Sequence, residues 1–338
     1  MHKITIAVFY LSLKKNIIYN KSMIHDLVKG MRFLDIEKVV EEKWELSNIT
    51  ISKILQKNGE RIVYLLEGKE GTFVLKVFHP ELTHNEIEKY ANALMFLEEI
   101  GYCHAPKIIK LIDNSAFTRV EDRYIYLMEF INGVEVTENQ QEEYKLGVAL
   151  AELHKVKGYT YDSNIDVSKH INKMLSRFGE YPFKDEYDGV VKNLPDFTKL
   201  KQSFIHTDIC PTNALKSSSG EIVLIDFDDA GNGSTFIDLG YPLITQFIQF
   251  QNRVAGQTPP DINKLYFNFE MAKAYYDGYF SVTPMTDDEK DLIFHGAVFM
   301  QLMYMPIFGK EAVPYMWKIL TYALENKSLL LEPLGMRR

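Results

Sequence analysis

Four polar residues in one stretch of this 338-residue chain are of the types, and at the spacing, that could do chemistry together. Between Phe204 and Asp238, His206-x-Asp208 is followed after four residues by Asn213, and thirteen residues later by Asp226. Asp226 ends the apolar run Ile222-Val223-Leu224-Ile225. The intervening Lys216-Ser217-Ser218-Ser219-Gly220 reads as a hairpin turn. A hairpin there returns Asp226 to the loop that carries Asp208 and Asn213. Asn213 and Asp226 would then offer two hard oxygen donors of the kind Mg²⁺ favours, and Asp208 would face a substrate hydroxyl. Phosphoryl transfer needs that arrangement. A metal neutralises charge on the transferring phosphate, and a carboxylate orients the nucleophile and takes its proton. The bland alternative is a polar loop whose Asp and Asn side chains cap their own backbone.

The elements that must position these residues read as follows. A short amphipathic helix spans 32–42. Three β-rich runs follow, Ile49–Leu55, Ile62–Leu66 and Thr72–Phe78, separated by the turns Lys57-Asn58-Gly59-Glu60 and Glu67-Gly68-Lys69-Glu70-Gly71. They predict an antiparallel meander. A helix from about Thr83 to Ile100 repeats Ile87, Tyr90, Ala91, Leu94 and Leu97 at helical spacing and stops at Gly101. Two more strands are predicted at Lys107–Ile112 and Tyr124–Phe130. After Gly133 the character turns helical, over Glu142–Lys155, over 168–178 and from Phe236 onwards, with short strands at Phe204–His206 and Ile222–Asp226 and loops at Gly256–Pro260 and Thr283–Asp288. The chain divides accordingly into an N-terminal extension (1–44), a sheet-rich lobe (45–131) and a mainly helical lobe (132–338), an α+β arrangement.

Lys+Arg number 38 and Asp+Glu 46, a net charge of −8. That acidity argues against a nucleic-acid polymer or an anionic membrane as partner. Two cysteines, Cys103 and Cys210, form no disulfide framework and no zinc cluster, and a reducing, cytoplasmic compartment fits. The apolar run Ile4–Leu13 lacks a small-residue cleavage site and is too short to span a bilayer. Met23 offers a second possible start.

The segment HTDICPTNAL…VLIDFDDAGNGSTFIDLG resembles the aminoglycoside phosphotransferase and choline kinase family, which shares its fold with the protein kinases. The stretch Gly147-x-x-Leu150-Ala151-x-Leu153-His154 is similar to the first helix of that family's large lobe. The resemblance implies a bilobal protein-kinase-like fold, with a small antiparallel sheet plus helix and a larger helical lobe. It implies ATP and Mg²⁺ as cofactors and a small-molecule hydroxyl as acceptor, whether on an aminoglycoside, amino alcohol, homoserine-like compound or sugar. Asp208 is then the catalytic base, and Asn213 and Asp226 are the magnesium ligands. His206 and Asp238 brace the catalytic loop, and His154 is a packing or bracing residue. Lys76, a cation in an apolar strand, needs a partner. The resemblance assigns it the nucleotide phosphates and a glutamate on the next helix, Glu86 or Glu88. Gly59 belongs to the phosphate-covering turn, and the backbone from Met128 to Phe130 reads the adenine edge. Asp228 and Asp229 read as solvated or structural carboxylates. The acceptor pocket is expected from Tyr241–Gln251, Tyr275–Tyr279 and His295–Tyr304. Two other readings stand beside this one. A protein Ser/Thr kinase of the same fold is disfavoured because no Ala-Pro-Glu follows Asp226. An inactive nucleotide-binding scaffold is disfavoured by the presence together of Lys76, Asp208, Asn213 and Asp226.

Overall fold

A computed structural model describes residues 36–57, 61–162, 183–251, 264–305 and 313–336. The N-terminal run with Met23, Gly59, the helix expected at 168–178 and the loop at Gly256–Pro260 lie outside them. The chain forms two units. The smaller runs up to Gly133 and takes in Val223–Asp228, and the larger holds Val134–Ile222 and Asp229 onwards.

The smaller unit opens with α1 (Ile36–Trp44), whose Val40 and Trp44 are buried. The meander follows as β1 (Thr50–Lys57), β2 (Arg61–Gly68) and β3 (Gly71–Phe78). β2 and β3 pair antiparallel without a break from Arg61↔Phe78 to Gly68↔Gly71, so Lys69-Glu70 is a two-residue turn. Gly71 accepts the φ of +144° that leaves it. Next comes α2 (His84–Glu99). Thr83 and Glu86 cap it reciprocally, and Gly101 ends it at φ +76°. The strands β4 (Ile108–Ile109), β5 (Thr118–Val120) and β6 (Arg123–Glu129) complete a sheet in the order β1-β2-β3-β6-β4, with β5 also on β6.

The pleat sorts side chains onto two faces. Tyr64, Leu66, Leu75, Ile125 and Leu127 bury one face with Val40 and Trp44 of α1. Each such side chain removed from water contributes on the order of 2 kcal/mol. Trp44 Nε1 donates to the Ile109 carbonyl at 2.7 Å and ties α1 to β4. The opposite face is where the chemistry-bearing residues of this unit stand. Val63 pairs Lys76, and Lys76 pairs Tyr126, so all three share a face, with Arg61 two residues before Val63.

The larger unit continues as β7 (Gly133–Glu135), α3 (Gln140–Leu153), α4 (Lys184–Lys192), β8 (Gln202–Ile205) and β9 (Ala214–Ser217). The expected turn after β9 is present: Gly220 N donates to the Ser217 carbonyl, and Ser217 N to that of Glu221, both at 2.9 Å. It leads to β10 (Ile222–Leu224). Then follow β11 (Gly231–Ser234), α5 (Thr235–Thr245), β12 (Ile248–Phe250), β13 (Leu265–Phe267), α6 (Phe269–Val282), α7 (Asp287–Tyr304), α8 (Val313–Glu325) and α9 (Lys327–Leu331). β11, with the sequence Gly-Asn-Gly-Ser, has no intrinsic strand preference. Antiparallel pairing with β8 imposes its form.

Two helix crossings in this unit depend on missing side chains. A Cβ on Gly147 of α3 would lie 2.0 Å from the Tyr275 carbonyl oxygen of α6, and one on Gly278 of α6 would lie 2.0 Å from the Tyr144 carbonyl oxygen of α3. Gly240 of α5 and Gly296 of α7 repeat the pattern against Ala297 N (2.1 Å) and the Phe236 carbonyl oxygen (1.9 Å). Among the described residues no helix is long and apolar enough to cross a membrane.

Candidate active site

In the smaller unit, two cations from the sheet meet two carboxylates from the returning segment 223–228. Lys76 is 5% exposed. Its Nζ donates to Asp226 Oδ1 at 2.9 Å and to Asp228 Oδ1 at 2.7 Å. Arg61 donates through Nη2 to Asp226 Oδ2 at 2.6 Å and through Nη1 to Asp228 Oδ2. Tyr126 Oη completes the group with a 2.9 Å bond to Asp228 Oδ1. Burial, with Asp228 beside it, raises the Tyr126 pKa well above that of an ordinary phenol, so it stays a donor. Two positive and two negative charges cancel, and every charge is hydrogen-bonded. That combination is what lets ions sit away from water. It also explains why Val223–Asp228 packs with the sheet, although the sequence boundary places it with the helices. Asp226 itself sits at φ +70°, a left-handed conformation that a non-glycine residue adopts at a cost.

Lys76 therefore does not take its partner from the following helix. Glu86 closes the capping box at the start of α2, where its carboxylate accepts from Thr83 N at 2.8 Å and Thr83 Oγ1 at 2.7 Å. Glu88 is not a partner of Lys76 either. The physical reason is proximity in the fold: Asp226 and Asp228 reach Lys76 on its own sheet face, while Glu86 serves the exposed N-terminus of its helix. Asp228 is held by three side chains and buried, whereas Asp229 is exposed. Met128 is buried in β6 opposite Val74 and Ile108, and Phe130 just beyond the strand is exposed. Glu129 between them gives its N–H to the Lys107 carbonyl at 2.9 Å.

In the larger unit, β8 delivers the chain to His206-Thr207-Asp208. The fully buried Asp238, in the first turn of α5, fixes this corner. Its Oδ2 accepts from His206 N at 2.6 Å and its Oδ1 from Thr207 N at 2.5 Å. These two bonds hold Thr207 at φ +75°, which is strained for a β-branched residue. His154 stands behind Asp238, with Nε2 at 3.2 Å from Oδ2 and Nδ1 at 2.9 Å from Tyr279 Oη. The tautomer that donates from Nε2 and accepts at Nδ1 satisfies both. His206 is itself wholly buried, so it braces the corner.

Asp208 emerges half-buried from this brace. A single 3₁₀ turn, Pro211–Asn213, brings Asn213 back to it. Asn213 Nδ2 donates to the Asp208 carbonyl at 2.9 Å and to its Oδ2 at 2.6 Å. Asp208 Oδ1 accepts from Tyr241 Oη at 2.6 Å and Tyr304 Oη at 3.4 Å. The two tyrosine rings lie 5.5 Å apart. Cys210, next to this turn, contacts Thr212 Oγ1 at 3.1 Å.

Four side chains of these two clusters are not singled out by the sequence: Arg61, Tyr126 and, at Asp208, the two tyrosines Tyr241 and Tyr304. Arg61 carried a signal, since it stands at even spacing from Val63, the residue that faces Lys76. The two tyrosines lay inside stretches expected to line the acceptor pocket, but nothing local marks a ring whose hydroxyl reaches a carboxylate 33 or 96 residues away. The donor set named for a metal, one amide and one carboxylate oxygen, fits Mg²⁺, which takes few protein ligands and fills its octahedron with water and phosphate oxygens. Among the described residues no cluster of three or more His, Cys, Asp or Glu offers a different kind of metal site.

A model of the phosphotransferase enzyme family matches residues 50–258. Among solved structures, a choline kinase from Cryptosporidium parvum Iowa II is similar over 89% of this chain and 98% of its own, at 14% identity and a TM-score of 0.62. A microcompartment-associated aminopropanol kinase is similar over 87% and 98%, at 18% identity and a TM-score of 0.63. An amicoumacin kinase in complex with AMP-PNP, Ca²⁺ and Ami is similar over 97% of each chain, at 16% identity and a TM-score of 0.60. At these identities the likeness establishes the protein-kinase-like fold.

Proposed function

This chain belongs to the phosphotransferase enzyme family, and we propose that it is a small-molecule kinase that moves the γ-phosphate of ATP to the hydroxyl of a small molecule with Asp208 as the base. The observation that carries this reading is the hydrogen bonding of Asp208. Its backbone corner is held by a buried carboxylate, its Oδ2 is occupied by Asn213, and its Oδ1 already accepts from an O–H group. An alcohol at Oδ1 is oriented for attack, and its proton has a place to go.

In this reading Asn213 and Asp226 are the metal ligands. A bound Mg²⁺ supplies neutralisation of charge on the transferring phosphate. Lys76 and Arg61 supply positive charge toward the nucleotide phosphates. The backbone from Met128 to Phe130 meets the adenine edge. Two free thiols, Cys103 exposed and Cys210 buried, suit a reducing compartment such as the cytoplasm. Several structural neighbours are named as kinases of choline, aminopropanol and ethanolamine. Amine-bearing alcohols are therefore the first acceptors to test, with aminoglycosides, homoserine-like compounds and sugars after them. The test measures phosphate transfer from labelled ATP across these classes, for wild type and Asp208→Asn. Transfer to one class that falls at least a hundredfold in the variant supports the reading. Transfer that survives the substitution removes Asp208 as base.

A further inference from the structure

Both carboxylate oxygens of Asp208 are engaged inside its own unit. Asn213, 1% exposed, holds Oδ2 at 2.6 Å. That leaves Oδ1 as the oxygen on which an acceptor alcohol must dock, and there the Tyr241 hydroxyl sits at 2.6 Å. A phenol donating to a carboxylate is chemically what an acceptor alcohol does at the same place. We propose that Tyr241 is a placeholder for the acceptor: its hydroxyl covers Asp208 Oδ1 and keeps water off the base until a substrate hydroxyl displaces it. The proposal rests on Asp208 being the base of the kinase reaction.

Three features support the placeholder role. Burial, together with neighbouring Asp208, raises the Tyr241 pKa well above that of a free phenol, so the group stays a protonated donor. Tyr241 stands on α5, three residues after Asp238, so the helix that fixes the catalytic corner also presents the cover. The Tyr304 hydroxyl lies 3.4 Å from the same Oδ1, and its ring stands 5.5 Å from that of Tyr241. A displaced Tyr241 hydroxyl thus has a polar neighbour beside the site to turn to.

Without the cover, a water can occupy Oδ1. Its oxygen then bonds to the γ-phosphorus, and the bond from that phosphorus to the β–γ bridging oxygen breaks. The electron pair leaves on ADP, and Asp208 takes the water's proton. The products are ADP and inorganic phosphate.

The experiment needs no identified acceptor. Phosphate release from Mg-ATP by the full chain is measured without acceptor for wild type, Tyr241→Phe, Asp208→Asn and the double variant. Each is assayed at a temperature where circular dichroism shows it folded. Tyr241→Phe is expected to raise hydrolysis about five- to tenfold, the scale of one lost hydrogen bond. The double variant is expected to return to the Asp208→Asn rate. Tyr187→Phe, which removes a buried phenol hydroxyl bonded to the Leu302 carbonyl at 3.3 Å, is expected to stay within about twofold of wild type. The proposal is overturned if Tyr241→Phe hydrolyses no faster than wild type, or if the rise persists in the double variant. A rise in Tyr187→Phe as large as that in Tyr241→Phe also overturns it, because the effect is then one of packing. Transfer to an acceptor that survives Asp208→Asn would instead sink the assignment of the base, a result separate from these three.

Discussion

Glu143 shows how much one proton can decide. It is 1% exposed at the start of α3, and Gln246 Nε2 donates to its Oε1 at 2.7 Å. Its Oε2 and the Gln246 Oε1 are both buried without a hydrogen-bond partner. A proton on Oε2 supplies the donor that both lack, because a carboxylic acid and an amide can each donate to the other. Burial first, then repulsion from Glu138 and Glu142, pushes the Glu143 pKa up to about 8. The folded state therefore holds this proton more tightly than the unfolded chain, where a glutamate ionises near its ordinary value of 4.5. Stability from this group is complete below about pH 4.5, declines as pH rises toward 8 and levels off above it. Glu143→Gln keeps the shape and removes the titration. It is expected to raise stability at pH 7 by about 2 kcal/mol and to flatten the slope between pH 5 and 8, read from urea unfolding at several pH values. Unchanged pH dependence would remove Glu143 as its source. Nothing in the sequence marked this pair, since a glutamate near a helix N-terminus ordinarily reads as a solvated, dipole-matched residue. Lys76 was legible for the opposite reason, as a cation in an apolar strand that declares its need for a partner. The identity of that partner was not, because the choice between Glu86 and Asp226 with Asp228 belongs to the fold and not to local spacing.

At the scale of elements, the meander and the capped helix α2 were readable because β-branched alternation and the Thr83–Glu86 box act over a few residues. The strands β5, β11, β12 and β13 were not. Each has three or four residues, and a partner strand gives it its form. The glycine crossings lie between these cases. Gly147 stood within the motif of the first large-lobe helix, yet only the contact with α6 explains it. Gly147→Ala would drive a methyl group to 2.0 Å from the Tyr275 carbonyl oxygen, where no flexible side chain can give way. The helices must separate, at a cost on the order of 3 kcal/mol. Gly189, whose Cβ position is open, serves as the control. Thermal unfolding is expected to fall by several degrees for Gly147→Ala and to hold or rise by a degree or two for Gly189→Ala, where helix propensity favours alanine and nothing blocks its methyl group.

At the scale of the whole chain, the net charge of −8 is partly chemistry. Asp208, Asp226, Asp228 and Asp238 carry four of the negative charges, and each is engaged by hydrogen bonds. Acidity alone therefore does not select a cationic acceptor. Under the proposed function, with Asn213 and Asp226 as metal ligands, nucleotide binding depends on the metal, which offsets the charge of the triphosphate. At nucleotide a hundredfold above its Kd, binding adds about 2.7 kcal/mol, and the melting temperature is expected to rise by several degrees. Chelation with EDTA is expected to remove most of that rise. A full rise without metal would count against Asn213 and Asp226 as ligands. The four crossing glycines have a last consequence, at the level of the gene. Every amino acid one base away from a glycine codon carries a Cβ, so Gly147, Gly240, Gly278 and Gly296 have no tolerated neighbour in codon space. In a library of random point mutants, these four codons should survive selection for activity almost exclusively through silent changes, however freely the surrounding surface drifts.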